Sequence, residues 1–254
     1  SVAVGYQALV SLTSGTHNIA IGEDAMATAT TAAESVAIGY QALGDVNTGS
    51  GANIAIGYYA MREVDEGTGN GDADYNIAIG YDALKGGDFA GNDRQLRGNI
   101  AIGAFALDAT ADNAQTGTIA IGESALGALT SGTKSTAVGF EALKANTIGH
   151  ENTAFGYNAL MTNVDGDSNT AIGGDSLKIY EPADGVGQNT ALGFQSGDAL
   201  VTGSANTLIG FRADTDDNAG VNQTVIGSTA QGQADNSVTL GNADVTAVYM
   251  AQDS

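Results

Sequence analysis

Asn76-Ile77-Ala78-Ile79-Gly80-Tyr81-Asp82-Ala83-Leu84 is one copy of a pattern that returns along the whole chain. At Asn18 to Met26 the same frame reads Asn-Ile-Ala-Ile-Gly-Glu-Asp-Ala-Met. The marker glycines are Gly5, Gly22, Gly39, Gly57, Gly80, Gly103, Gly122, Gly139, Gly156, Gly173, Gly193, Gly210, Gly227 and Gly241. Most intervals are 17 residues, stretched to 23 twice in succession between Gly57 and Gly103. A fixed period with local insertions marks a solenoid, in which each repeat packs only on its neighbours. Its working parts must therefore be sought on the surface of a rod.

Within each repeat the apolar residues alternate. The position before every marker glycine is apolar, from Val4 to Leu240, and the position two earlier is Val or Ile in the first seven repeats. Ala lies between them in the first eleven. Period-2 alternation of branched residues predicts a short strand with the branched pair on one face and Ala plus Gly on the other. We expect the branched pair to point inward. A second short strand is expected after the glycine, its Leu or Met (Leu9 to Leu177) meeting that pair inside the coil. Loops such as Ser14 to Thr16 and Ser131 to Thr133 close the turns. The expectation is an all-β solenoid of about 14 coils, very roughly 60 Å long at strand spacing. Residues 1–235 form the rod, and 236–254 a terminal half-repeat leading into a further C-terminal region. The small Ala/Gly face admits a close neighbour, so we expect association along the rod.

Composition removes several classes of function. The net charge is -21 with only 8 Lys and Arg, which opposes binding to a nucleic-acid backbone or an anionic membrane. No apolar run approaches the ~20 residues of a membrane-spanning helix. There is no Cys, hence neither a disulfide nor a thiolate metal site. No catalytic spacing of Ser, His and Asp stands out, and no phosphate-cradling loop; the expectation is a protein that is not an enzyme and needs no cofactor.

The run Asn/Ser-Val/Ile-Ala-Ile-Gly-x-x-Ala resembles the repeat of trimeric autotransporter adhesin heads of the YadA type, over repeats one to thirteen. That resemblance implies a left-handed parallel β-roll assembled side by side as a parallel homotrimer. The flavour Val-Gly-Tyr-Gln-Ala-Leu, seen at Val4 to Leu9, is also similar to bacteriophage tail-fibre shafts. The segment from Asn236 to Met250 resembles what precedes a self-cleaving chaperone in such fibres. The resemblance implies an extracellular fibre segment, on a virion or else on a bacterial surface, that meets a host or matrix receptor.

Four groups of residues are candidates for chemistry. Threonines replace the first branched residue at Thr136, Thr153, Thr170, Thr190, Thr207 and Thr224; outward they would suggest ice binding, but the alternation places them inward as a hydroxyl ladder. Asparagines at Asn18, Asn53, Asn76, Asn99, Asn152, Asn169, Asn189 and Asn206 suit a stacked amide ladder. His17 and His150 read as turn residues. Acidic loops at Asp65-Glu66, Asp72 and Asp74, Asp165 and Asp167, and Asp214 to Asp217 offer calcium-type oxygens without completing a known loop; solvated turns are the plainer reading. The two long repeats bring extra residues to adjacent coils, including Arg62, Tyr75, Phe89, Arg94 and Arg97. Long loops on a rigid scaffold are where recognition resides, so these five are the candidate surface, suited to an acidic glycan.

Overall fold

The computed structural model describes residues 1–45, 51–64, 72–86, 95–110, 114–182 and 185–248. It is a parallel β-solenoid. Among the described residues, fourteen three-residue strands, from Val2–Val4 to Val238–Leu240, form one sheet in chain order. Every pair is parallel and unshifted: Ile77 faces Ile100, Ala78 faces Ala101 and Ile79 faces Ile102. Residues at equal positions in the repeat therefore stack into columns. A second, three-stranded sheet (Asp72–Asp74, Gln95–Arg97, Gln115–Thr116) accompanies the longer coils.

The marker glycine sets the closeness of the stack. Gly22 has φ +135°, and a Cβ built on it would lie 2.3 Å from the carbonyl oxygen of Gly39 in the next coil. Gly39 stands in the same relation to Gly57. No side chain fits there, and an L-residue would be strained at that φ as well. The amide of each such glycine donates back to the preceding coil, as from Gly22 to the Val4 carbonyl at 2.8 Å.

The faces of the strand are the reverse of the sequence expectation. Ala20, Ala37, Ala55, Ala78 and Ala101 are wholly buried, whereas Ile19 and Ile21 remain 39% and 38% exposed. The alanines meet Ala25, Met26, Ala42, Leu43, Ala83 and Leu84 in one thin core, with one or two large side chains per coil, as with Leu126 and Leu129 or Leu177 and Tyr180. A branched pair has no room inside so narrow a section. One exchange makes the volume limit visible. Leu208 enters the core where earlier strands carry Ala, and the turn beside it carries Gly197 where earlier turns carry Leu. A Cβ on Gly197 would sit 2.6 Å from Leu177 and 3.0 Å from Leu208.

The segment after the glycine is also not a second strand. It is a run of turns with positive φ two and four residues on, as at Asp24 (57°) and Met26 (51°), or Asp82 (51°) and Leu84 (46°). Left-handed conformations in bulky residues are costly, about 1–3 kcal/mol each. They persist because they aim backbone groups at neighbouring coils: Asp24 N–H donates to Tyr6 at 2.9 Å, and Met26 N–H to Ala42 at 3.1 Å.

The asparagine ladder forms as expected. Asn53, Asn76 and Asn99 are fully buried. Asn76 Nδ2 donates to Asn53 Oδ1 at 3.2 Å, and Asn99 Nδ2 to Asn76 Oδ1 at 3.0 Å. Their second amide hydrogens reach the carbonyls of Leu96 and Gln115 across the coil. The ladder resumes from Asn152 through Asn169 and Asn189 to Asn206.

The inward alanine column gives a direct test. Ala78→Leu should overpack the core and lower unfolding stability by about 1–3 kcal/mol or more in urea. Unchanged stability would place that column outside.

Candidate functional surface

The reversal turns the branched residues outward. Val2 and Val4 are 53% and 56% exposed, and across the first seven coils both outward positions of each strand are Val or Ile. From Thr136 onward the chemistry changes. Thr153, Thr170, Thr190 and Thr207 align strand to strand beside Phe155, Ile172, Leu192 and Ile209. The threonines thus lie on the outer face and not, as expected, in the interior. Tight coils leave only the middle residue of each strand inside. The sheet is a long strip, aliphatic at one end and mixed hydroxyl and apolar at the other.

Along one edge of this strip runs a column that the sequence reading passed over as two variable residues. The position after the marker glycine holds Tyr6, Tyr40, Tyr58, Tyr81, Phe140, Tyr157, Phe194 and Phe211. Stacking brings several rings together. Tyr40 and Tyr58 stack at 5.0 Å between centroids, Tyr58 and Tyr81 at 5.5 Å, and Tyr81 meets the edge of Phe105 at 5.2 Å. Tyr59 joins the cluster 4.1 Å from Tyr58. Such pairs are worth about 0.5–1.5 kcal/mol beyond their buried area. The Tyr59 hydroxyl as hydrogen-bond partner, then the loss of surrounding water, push the Tyr58 phenol up to about 12. Tabulating aromatic residues by distance from the glycine would have exposed this column.

The five candidates from the long repeats separate. The Arg62 guanidinium lies 4.2 Å over the Tyr59 ring and pairs with Glu63, so it belongs to the aromatic edge. Arg97 lies 5.2 Å over the Tyr75 ring, at the opposite edge, where the chain enters the strands. Phe89 and Arg94 fall outside the described residues. The described ends of the two insertions lie side by side. Glu63 bridges Gly86 where they leave, and Asp72–Asp74 pairs with Gln95–Arg97 where they return. Ala73 and Leu96 anchor that return in the core.

His150, Asp167 and Asp214 are engaged in turns. The His150 ring nitrogen Nδ1 accepts from the Thr133 amide at 3.2 Å, while the His150 amide donates to Asp167 at 2.7 Å. Asp214 accepts from the amides of Ala199 and Thr215 at 2.8 and 2.9 Å; burial raises its carboxyl above the usual range despite those bonds. Asp65 and Glu66 lie outside the described residues. Among the described residues no three His, Asp or Glu side chains converge as a metal site would require.

The tyrosine stack should be readable by pH. A phenol raised from 10.0 to about 12 favours the native state below its ordinary value and ceases to do so as pH rises through about 12. Ultraviolet titration should show several tyrosines ionising late, because Tyr40, Tyr157 and Tyr180 are raised as well. The part of the late step lost in Tyr58→Phe belongs to Tyr58, and Tyr59→Phe should move that part back towards the ordinary range. A Tyr58 component that stays late in Tyr59→Phe would assign the shift elsewhere. The chain matches none of the protein-family models, curated proteins or solved structures with which it was compared.

Proposed function

We propose that this chain is a non-enzymatic fibre segment, a left-handed β-roll that assembles side by side as a parallel homotrimer. The observation that supports this is the outer sheet face. It is continuous over fourteen strands, wholly aliphatic over the first seven, and among the described residues nothing covers it. Exposed apolar strips of that extent mark interaction sites. A second and third copy suit it because the columns are self-similar, aliphatic against aliphatic and threonine against threonine. The association surface is then the Val/Ile face, in place of the buried Ala/Gly face. The resemblance to tail-fibre shafts favours a virion fibre that spaces or performs host attachment, with a bacterial surface adhesin head as the runner-up.

The outward threonine rank supports a second reading. Regular hydroxyls on a flat, partly apolar sheet are what an ice-binding solenoid needs, and the argument that they face inward no longer holds. The rank beside them is Phe155, Ile172 and Leu192, with no second hydroxyl rank. The fibre reading therefore leads.

Light scattering decides between them. The purified chain should have about three times its 25.3 kDa mass. The double variant Ile79→Asp, Ile102→Asp should sediment as a folded monomer, while Asp82→Ala leaves the mass unchanged. A monodisperse unmodified monomer across a concentration series would overturn the trimer. Thermal hysteresis in that monomer would establish the ice-binding reading.

A further inference from the structure

One column on the turn side of the rod carries half of the chain's positive charge. Five residues on from the marker glycine stand Arg62, Lys85, Asp108, Gly127, Lys144, Met161 and Lys178 in successive coils. Arg62, Lys85, Lys144 and Lys178 are four of the 8 Lys and Arg. Two of them reach back three residues to a carboxylate, Lys144 to Glu141 at 2.6 Å and Lys178 to Asp175 at 3.1 Å. An ammonium beside oxygen is thus the ordinary content of this column. It is interrupted in two adjacent coils, where Asp108 and Gly127 stand.

The interruption leaves a notch of about 330 Å³, lined by Phe105, Asp108, Ser124, Gly127, Ala128 and Lys144. That is at the small end of the ~300–1,000 Å³ usual for ligand sites. Three oxygens converge over the glycine. A Cβ built on Gly127 would lie 3.3 Å from the Phe105 carbonyl, 3.3 Å from the Ser124 carbonyl and 3.6 Å from Asp108 Oδ1. Phe105 and Ser124 are both left-handed at φ 56°, and their amides donate to Tyr81 and Ala104 at 2.9 Å in the preceding coils. Both carbonyls are therefore fixed by the stack, which removes ordering cost from a contact made on them.

Charge at the notch favours a cation. Among the described residues Asp108 forms no ion pair. Burial pushes its carboxyl up to about 6; the Asp82 charge in the coil before adds to this, while its own amide and Lys85 work against it. Asp82 is only 9% exposed, and its buried Oδ1 has no hydrogen-bond partner among the described residues. Lys144, on the far wall, is matched by Glu141. Asp82, Asp108 and Glu141 against Lys85 and Lys144 leave a negative surplus, on a rod of net charge -21.

Geometry then narrows the cation. A primary ammonium has three N–H donors for the three oxygens and one charge for one carboxylate. A calcium ion takes about six to eight oxygens, and the notch offers a single carboxylate. The planar guanidinium fork matches paired oxygens and not a three-sided set. Phe105 and Ala128 supply apolar walls along which an alkyl stem can lie.

We propose that the Asp108–Gly127 notch is a binding site for a primary alkylammonium group, the lysine side chain of a protein partner, entering where the chain's own column carries no lysine. The site goes beyond the fibre reading and needs no particular oligomeric state.

The test uses the full chain, isotope-labelled, with Nα-acetyl-lysine methylamide as the probe. Its Nε-trimethyl form keeps the charge and loses the N–H donors; acetyl-norleucine methylamide and calcium chloride complete the set. Amide NMR shifts report the site, and light scattering reports the mass. The lysine probe should shift the Ser124, Gly127 and Ala128 amides saturably, and the trimethyl and norleucine probes should not. Gly127→Ala, which places a methyl among the three oxygens, and Asp108→Asn should each weaken binding by about tenfold or more. Asp198→Asn, which removes an equal charge farther along the rod, should leave it unchanged. Affinity should also fall about tenfold from ~pH 7 to ~pH 5, as protonation of a carboxyl near 6 removes the charge that the ligand pairs with. No saturable shift, or equal binding by the trimethyl probe, would overturn the proposal. So would binding that survives both Gly127→Ala and Asp108→Asn. Calcium giving the same shifts at lower concentration would make the notch a metal site instead. A monomeric chain that still binds the lysine probe would remove the trimer and leave the site standing.

Discussion

Two backbones passing at the glycine column are the constraint on which this rod depends. Coils can stack at hydrogen-bonding distance only if nothing projects where one glycine faces the carbonyl of the next, as Gly22 faces Gly39 at 2.3 Å from a would-be Cβ. Once that column is empty, the amides on either side reach their neighbours, and strands align without slip. Register then forces every other position into a column. Some of these are apolar and buried (Ala78, Leu84), some polar and buried (Asn76), some aromatic and half in water (Tyr81). A column of asparagines becomes a hydrogen-bonded ladder; the same residues scattered would be buried, unsatisfied amides costing about 1–3 kcal/mol apiece.

A thin core places most of the large apolar side chains outside. Each coil encloses a few small residues and one or two large ones, such as Leu177 with Tyr180, so backbone pairing between coils must contribute a large share of the stability. The left-handed residues after the glycine fit that balance: a local conformational cost is accepted where it directs an amide to the neighbouring coil. The surface that remains is laid out in strips. An aliphatic and threonine face lies between an aromatic edge and an edge that carries Tyr75 and Arg97.

Much of this was legible beforehand. The period, the stacked coils and the asparagine ladder follow from spacing and residue type, and the resemblance to adhesin heads added the parallel roll. Orientation did not. Alternation states which residues share a face, and the usual preference for buried Ile and Val then chose the wrong one; only coil thickness, a tertiary property, decides for Ala78 over Ile77. The turn at Asp82 and Leu84 was equally hidden, since nothing about Leu announces a positive φ. Arg62 was found for a sound reason, scarcity of positive charge, but its partner Tyr59 was not, because only the turn after Gly57 brings the ring under the guanidinium.

In-register stacking also makes the rod a ruled surface. A duplicated coil would add about 4.8 Å of length and one more residue to every strip without disturbing those already present. Length and surface chemistry can therefore vary separately: the first by whole coils, the second by exchanges at the outward positions, with the empty glycine column common to both. The passage from Ile119 to Thr136 is such an exchange, altering the character of a face between two adjacent strands while the Ala120 to Ala137 pairing beneath it stays the same.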